Sequence, residues 1–161
     1  MIVVIMGVAG SGKTTIGSLL AKEMDWSFAD ADDFHPAANV EKISRGIALD
    51  DTDRAPWLAA IRNNVLGWIA EHQNIVLACS ALKEAYRQQL SVSSEVKFVY
   101  LQGTYPVIYQ RLHNRHGHFA TEQILASQFA ALEEPTDATT VDVSGTPEQI
   151  VGEIRRRLGL R

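Results

Sequence analysis

Short continuous apolar runs alternate along this chain with longer stretches whose apolar positions recur every three or four residues. Ile2-Val3-Val4-Ile5-Met6 has no polar break, as a strand buried on both faces requires. Residues 15–24 follow with Ile16, Leu19, Leu20 and Met24 at helical spacing. Residues 26–29 predict a short strand ending in Asp30-Ala31-Asp32-Asp33, with His35-Pro36 as a turn. Residues 37–45 read as a short helix stopped by Gly46. Asp50-Asp51-Thr52-Asp53 then precedes a long helix with Pro56 near its first turn and a stripe of Leu58, Ile61, Val65, Trp68 and Ile69.

Residues 74–79 form the third apolar run, and Ser80-Ala81-Leu82-Lys83 opens another helix with Ser80 as N-cap. Residues 96–101 are a fourth strand, and 105–115 are helical. His116-Gly117-His118-Phe119-Ala120 interrupts the pattern, and a helix restarts at Thr121 and runs to about Glu133. Residues 139–143 make the last strand. Thr146-Pro147-Glu148-Gln149 is a capping box with Pro at the first helical position, opening a helix with Ile150, Ile154 and Leu158 on one face. Alternating strands and helices predict an α/β fold with five parallel strands. Ligands bind at the carboxyl ends of such strands, so residues 30–33, 79–80 and 102–103 arrive at one edge.

The loop at that edge carries the chemistry. Gly7-Val8-Ala9-Gly10-Ser11-Gly12-Lys13-Thr14 is Gly, four free positions, then Gly-Lys-Thr, set between a strand and a helix. Glycines let backbone N–H groups approach a polyphosphate, and the helix N-terminus adds partial positive charge. Residues 7–14 with Thr15 are the nucleotide-binding candidates, Lys13 reaching the β- and γ-phosphates and Thr14 ligating Mg²⁺.

The 161 residues suit one domain, and a net charge of −4 with a pI near 5.7 argues against a nucleic-acid footprint. With Cys79 as the single cysteine, no apolar run of membrane-spanning length and no basic leader, a cytoplasmic location is expected. A GTPase would need Asn-Lys-x-Asp, which is absent; Asp142-Val143-Ser144-Gly145 lies in the wrong order to be a switch. A mechanical ATPase would end the third strand in Asp-Glu, where this chain has Cys79-Ser80. The acid comes instead from the second strand, the plan of small-molecule kinases.

Five further segments join the phosphate loop in a more specific likeness: Asp30-Ala31-Asp32-Asp33-Phe34-His35-Pro36, Asn39-Val40-Glu41-Lys42-Ile43, Asp51-Thr52-Asp53-Arg54-Ala55-Pro56-Trp57-Leu58, Cys79-Ser80-Ala81-Leu82-Lys83 and Arg111-Leu112-His113-Asn114-Arg115-His116-Gly117-His118-Phe119. With Arg87, Gln128-Phe129 and Leu132-Glu133-Glu134-Pro135, they resemble the bacterial gluconokinase family over nearly the whole chain. The resemblance implies a P-loop NTPase fold with strand order 2-3-1-4-5, a short helical lid at about 113–121, ATP-dependent phosphorylation of D-gluconate at its 6-hydroxyl, and a homodimer. Alternatives are a kinase of the shikimate kinase type, which generally has a Gly-rich turn where this chain has Ser80-Ala81-Leu82-Lys83, and a nucleotide-binding module that never turns over.

Within that reading Asp32 orients and deprotonates the acceptor hydroxyl, and Asp30 lies nearer Mg²⁺. Arg54, Lys83 and Arg87 are candidates for the substrate carboxylate, since guanidinium binds carboxylate bidentately and Arg87 lies one helical turn beyond Lys83. His35 is a candidate partner for a sugar hydroxyl. By resemblance to small kinases, Arg111 lies against adenine and Arg115 closes on the phosphates. His113, His116 and His118 lack a second shell and are assigned no zinc. Trp57, Trp68, Phe98, Tyr100 and Cys79 read as packing.

Overall fold

The structure, a computed structural model, describes the backbone of all residues except 117 and the side chains of all except 115–120. Five strands, β1 (Ile2–Met6), β2 (Ser27–Asp30), β3 (Ile75–Ala78), β4 (Val96–Gln102) and β5 (Thr139–Asp142), form one parallel sheet in the order β2-β3-β1-β4-β5. The helices are α1 (Lys13–Met24), α2 (Ala37–Ser44), α3 (Asp51–Ala70), α4 (Glu84–Leu90), α5 (Tyr105–His116), α6 (His118–Ala131) and α7 (Pro147–Leu158).

The unbroken apolar run of β1 has a direct cause. Successive strand side chains point to opposite faces. Ile2, Val4 and Met6 join one core with Trp57, Leu58 and Ile61 of α3, while Val3 and Ile5 join another with Ile16 and Leu20 of α1 and Ile154 of α7. A central strand covered on both sides has no solvent face to make polar. Each fully buried aliphatic side chain contributes roughly 1.5–3 kcal/mol. The capping box at Thr146 forms as read, with Gln149 N–H donating to the Thr146 hydroxyl at 3.2 Å and Thr146 N–H to Gln149 Oε1 at 2.9 Å. Among the described residues no helix is long and apolar enough to cross a membrane.

Three local readings change. Ser80 is not a helix N-cap: α4 begins at Glu84, and residues 80–83 are an irregular loop with Ala81 at φ +45°. Two of the loop carbonyls find backbone partners outside any helix. Ser80 O accepts from Gly7 N at 3.3 Å, and Leu82 O accepts from Glu133 N at 2.8 Å. α3 starts five residues before Pro56, because Asp50 and Asp53 close a capping box at its first turn (Asp53 N to Asp50 Oδ1, 2.7 Å). α6 begins at His118, not Thr121, and ends at Ala131. The lid expected at 113–121 lies mostly on side chains outside those described.

Candidate active site

The phosphate loop turns through glycines at two points where no other residue serves well. Gly12, the N-cap of α1, has φ +99°, and Gly10 has φ +82°. A Cβ on Gly10 would also meet Leu112 Cγ of α5 at 2.6 Å, so α5 lies directly over the loop. Lys13 Nζ donates to the carbonyls of Gly7 and Val8 at 3.0 and 3.1 Å. Burial pulls its pKa below that of ordinary lysine, against the opposing influence of Asp32 and Asp30.

A cleft of about 650 Å³ opens over this loop, lined by residues 9–16 with Asp30, Asp32, Arg111, Asn114, Pro147 and Ile150. The Thr14 hydroxyl donates to Asp30 Oδ2 at 3.3 Å, and Asp30 Oδ1 accepts from Asp32 N at 3.0 Å. Among the described residues no group of three or more His, Cys, Asp or Glu gathers to hold a metal. One hydroxyl and one carboxylate are a fitting protein contribution for Mg²⁺, which keeps waters and takes phosphate oxygens for the rest. Arg111 donates to Val143 O at the edge of this cleft. Arg115 falls in the last turn of α5, and its side chain is outside those described.

A second cavity of about 160 Å³ adjoins the first and is lined by His35, Arg54, Trp57, Lys83 and Tyr86. Asp32, Ser80 and Gln128 line both cavities. Asp32 therefore stands between the phosphate loop and a basic pocket. Partial burial, then the charge of Asp30, raises its pKa above that of an ordinary carboxyl. Arg54 Nη1 donates to the Tyr86 hydroxyl at 3.2 Å. Lys83 Nζ pairs with Asp51 at 3.0 Å, and the Tyr86 hydroxyl also donates to Asp51. Asp33 is exposed and lines neither cavity.

Arg87 does not join this pocket. Its residue is 4% exposed, and its guanidinium donates to Ala81 O at 2.8 Å, Leu82 O at 3.1 Å, Glu84 Oε2 at 2.9 Å and Glu133 O at 2.7 Å. Lys83 precedes α4 and does not belong to its helical face, so the one-turn argument linking the two residues fails. Arg87 pins the 80–83 loop to the segment just after α6. Cys79 is buried, and its thiol pKa is pushed up to about 12, chiefly by burial, so it stays an inert packing group. Asp142 accepts from Ser144 N at 2.7 Å, an ordinary turn.

Two site residues escaped the sequence reading of roles. Tyr86 reaches the pocket because α4 starts at Glu84, a boundary that local spacing does not reveal. Gln128 accepts from Ala9 N at 3.0 Å across 119 residues, and no local pattern announces such a contact. A phosphate cradle facing a basic pocket across one shared carboxylate is how a P-loop kinase of small molecules is laid out. The family model described as shikimate kinase matches residues 9–158. The gluconokinase of Gluconobacter oxydans is 41% identical over 157 residues, 95% of this chain and 88% of that protein. The crystal structure of a gluconokinase from Sinorhizobium meliloti 1021 superposes with a TM-score of 0.86 at 39% identity, covering 98% of this chain and 90% of that one. A shikimate kinase from Aquifex aeolicus shares the fold alone, with a TM-score of 0.62 at 17% identity over 99% of this chain and 96% of that one. The chain belongs to the gluconokinase family, within the broader shikimate kinase family of P-loop kinases.

Proposed function

We propose that this protein transfers the terminal phosphoryl group of ATP to the 6-hydroxyl of D-gluconate, giving 6-phospho-D-gluconate and ADP. The observation that carries the reading is Asp32, which lines the nucleotide cleft and the basic pocket alike. The names of the similar proteins supply the acid's identity. The triphosphate lies along the amides of residues 7–14 at the N-terminus of α1, with Lys13 against its outer phosphates. Thr14 and Asp30 would hold Mg²⁺, which when bound neutralises phosphate charge.

Asp32 accepts the proton of the 6-hydroxyl as that oxygen bonds to phosphorus and the bond to the bridging oxygen of ADP breaks. Its raised pKa makes it a better base than a solvated carboxylate. Arg54 and Lys83 take the substrate's carboxylate, with Tyr86 and Asp51 setting their direction. His35 meets a sugar hydroxyl. Arg111 flanks the base, and Arg115 reaches the phosphates. A single cytoplasmic domain working as a homodimer completes the reading, and sedimentation of the purified chain checks the assembly.

The test is a coupled ADP-release assay across gluconate, other aldonates, shikimate and nucleoside monophosphates. ADP release is expected to be by far fastest with gluconate. Release with shikimate alone would transfer the chain to the other substrate, and release with none would leave a nucleotide-binding module.

A further inference from the structure

The His35 ring, in the wall of the smaller cavity, stacks on Trp57 with centroids 4.5 Å apart and planes 9° apart. Trp57 is 4% exposed and held by its own bond, Nε1–H to Ala31 O at 2.7 Å. Stacking fixes the plane of the imidazole but not which nitrogen carries hydrogen. That choice is made behind the ring. Asn39 of α2, 2% exposed, sets its amide nitrogen 2.8 Å from the Asp53 carbonyl oxygen and 3.2 Å from His35 Nδ1.

A backbone carbonyl only accepts, so the Asn39 group facing it is the NH₂ and not the amide oxygen. That NH₂ has two hydrogens. One goes to Asp53, the other points at Nδ1, and Nδ1 is therefore the bare nitrogen of the pair. The ring hydrogen sits on Nε2. Asp53 is itself anchored, as a capping-box partner of Asp50 and through Lys42 Nζ at 2.8 and 2.9 Å from its two oxygens.

We propose that Asn39 is a positioning residue for the phosphoryl acceptor: by holding His35 in the Nε2–H tautomer, it makes this ring a donor to a hydroxyl oxygen of the acid. The inference rests on the smaller cavity being the acceptor site. Protonating the ring would turn Nδ1–H against the Asn39 N–H, two donors facing each other. The charged neighbours divide: Asp32 of the turn after β2 favours the cation, while Arg54 of α3 opposes it, with Lys83 of the 80–83 loop also lining the cavity. Burial, the largest influence, pulls the His35 pKa below the ordinary histidine value.

The test uses protein carrying ¹⁵N in histidine, with the His35 signals assigned by their loss in His35→Ala. At neutral pH Nδ1 should resonate as the unprotonated nitrogen and Nε2 as the protonated one. The opposite tautomer, or an imidazolium, overturns the proposal. Asn39→Asp keeps the size and replaces the donor by an acceptor; Asn39→Ala simply removes the donor. Both should raise the His35 pKa, Asp more than Ala, and raise the gluconate KM about five- to tenfold with a smaller change in kcat. An unmoved His35 titration in the folded Ala variant overturns the proposal, as do equal losses in kcat and in the KM values for ATP and gluconate. An unchanged gluconate KM in His35→Ala would instead discard the acceptor-site reading, while the tautomer measurement stands by itself.

Discussion

The two cavities that meet at Asp32 are made of different material. The larger is built on main chain: its cradle is the backbone of one short loop and the first turn of α1, with Lys13 as its principal charged side chain. The smaller is built of side chains brought together from the turn after β2, from α3, from the 80–83 loop, from α4 and from α6. A cradle of consecutive amides is local, so its geometry follows from a run of glycines. A pocket of convergent side chains depends on how distant segments pack. The first should tolerate changes in the side chains that do not touch phosphate; the second should feel each change separately, through the substrate alone.

Lys13→Ala strikes the first region hardest and should lower kcat about 10³-fold, the scale of losing one well-placed electrostatic donor. Steady-state kinetics check it, and near-normal turnover would break the assignment of the larger cavity. Asp32→Asn removes the group common to both regions and should cost about 10²–10³-fold in kcat while leaving ATP affinity within about twofold. Asp32 works as a base only when ionised, and its pKa lies above the ordinary value. The acid limb of kcat/KM should therefore fall at higher pH than a solvated aspartate would give, and vanish in the variant. Stability carries its own sign. As pH rises the unfolded chain ionises Asp32 first, so the folded state loses stability up to its raised pKa. Asp32→Asn should accordingly melt higher than the parent at neutral pH.

Arg87→Met separates architecture from substrate contact. It removes the donor from three carbonyls and should lower unfolding stability by about 3 kcal/mol in urea titrations, with the gluconate KM of the folded fraction nearly unchanged. A selective rise in that KM would return Arg87 to the pocket. Arg54→Ala is the gentler complement. It should raise the gluconate KM about tenfold or more with ATP KM unmoved, the loss of one charge-assisted hydrogen bond. Equal effects on both substrates would erase the division between the two regions.

The legibility of the chain follows the same division. β1, the glycine loop and the Thr146 cap were readable because each rests on neighbours in sequence, and five parallel strands followed from the alternation of strand and helix; the strand order β2-β3-β1-β4-β5 agrees with what the family resemblance implies. Asp32, Arg54 and Lys83 could be placed at the correct edge because strand ends bring loops there. Arg87 was misplaced because the start of α4 depends on carbonyls of residues 80–82 engaging Gly7, Glu133 and Arg87 itself, none of which local spacing reveals. Tyr86 and Gln128 were missed as site residues for the same reason.

Local pattern by itself determined the phosphate cradle and the α/β alternation, since backbone hydrogen bonding and apolar periodicity act over a few residues. Packing alone decided that Arg87 braces a loop, that Asp32 is shared by two cavities, and that Asn39 chooses the tautomer of His35. Those outcomes depend on distances between segments far apart in the chain, and such distances exist only once the sheet and its helices have closed.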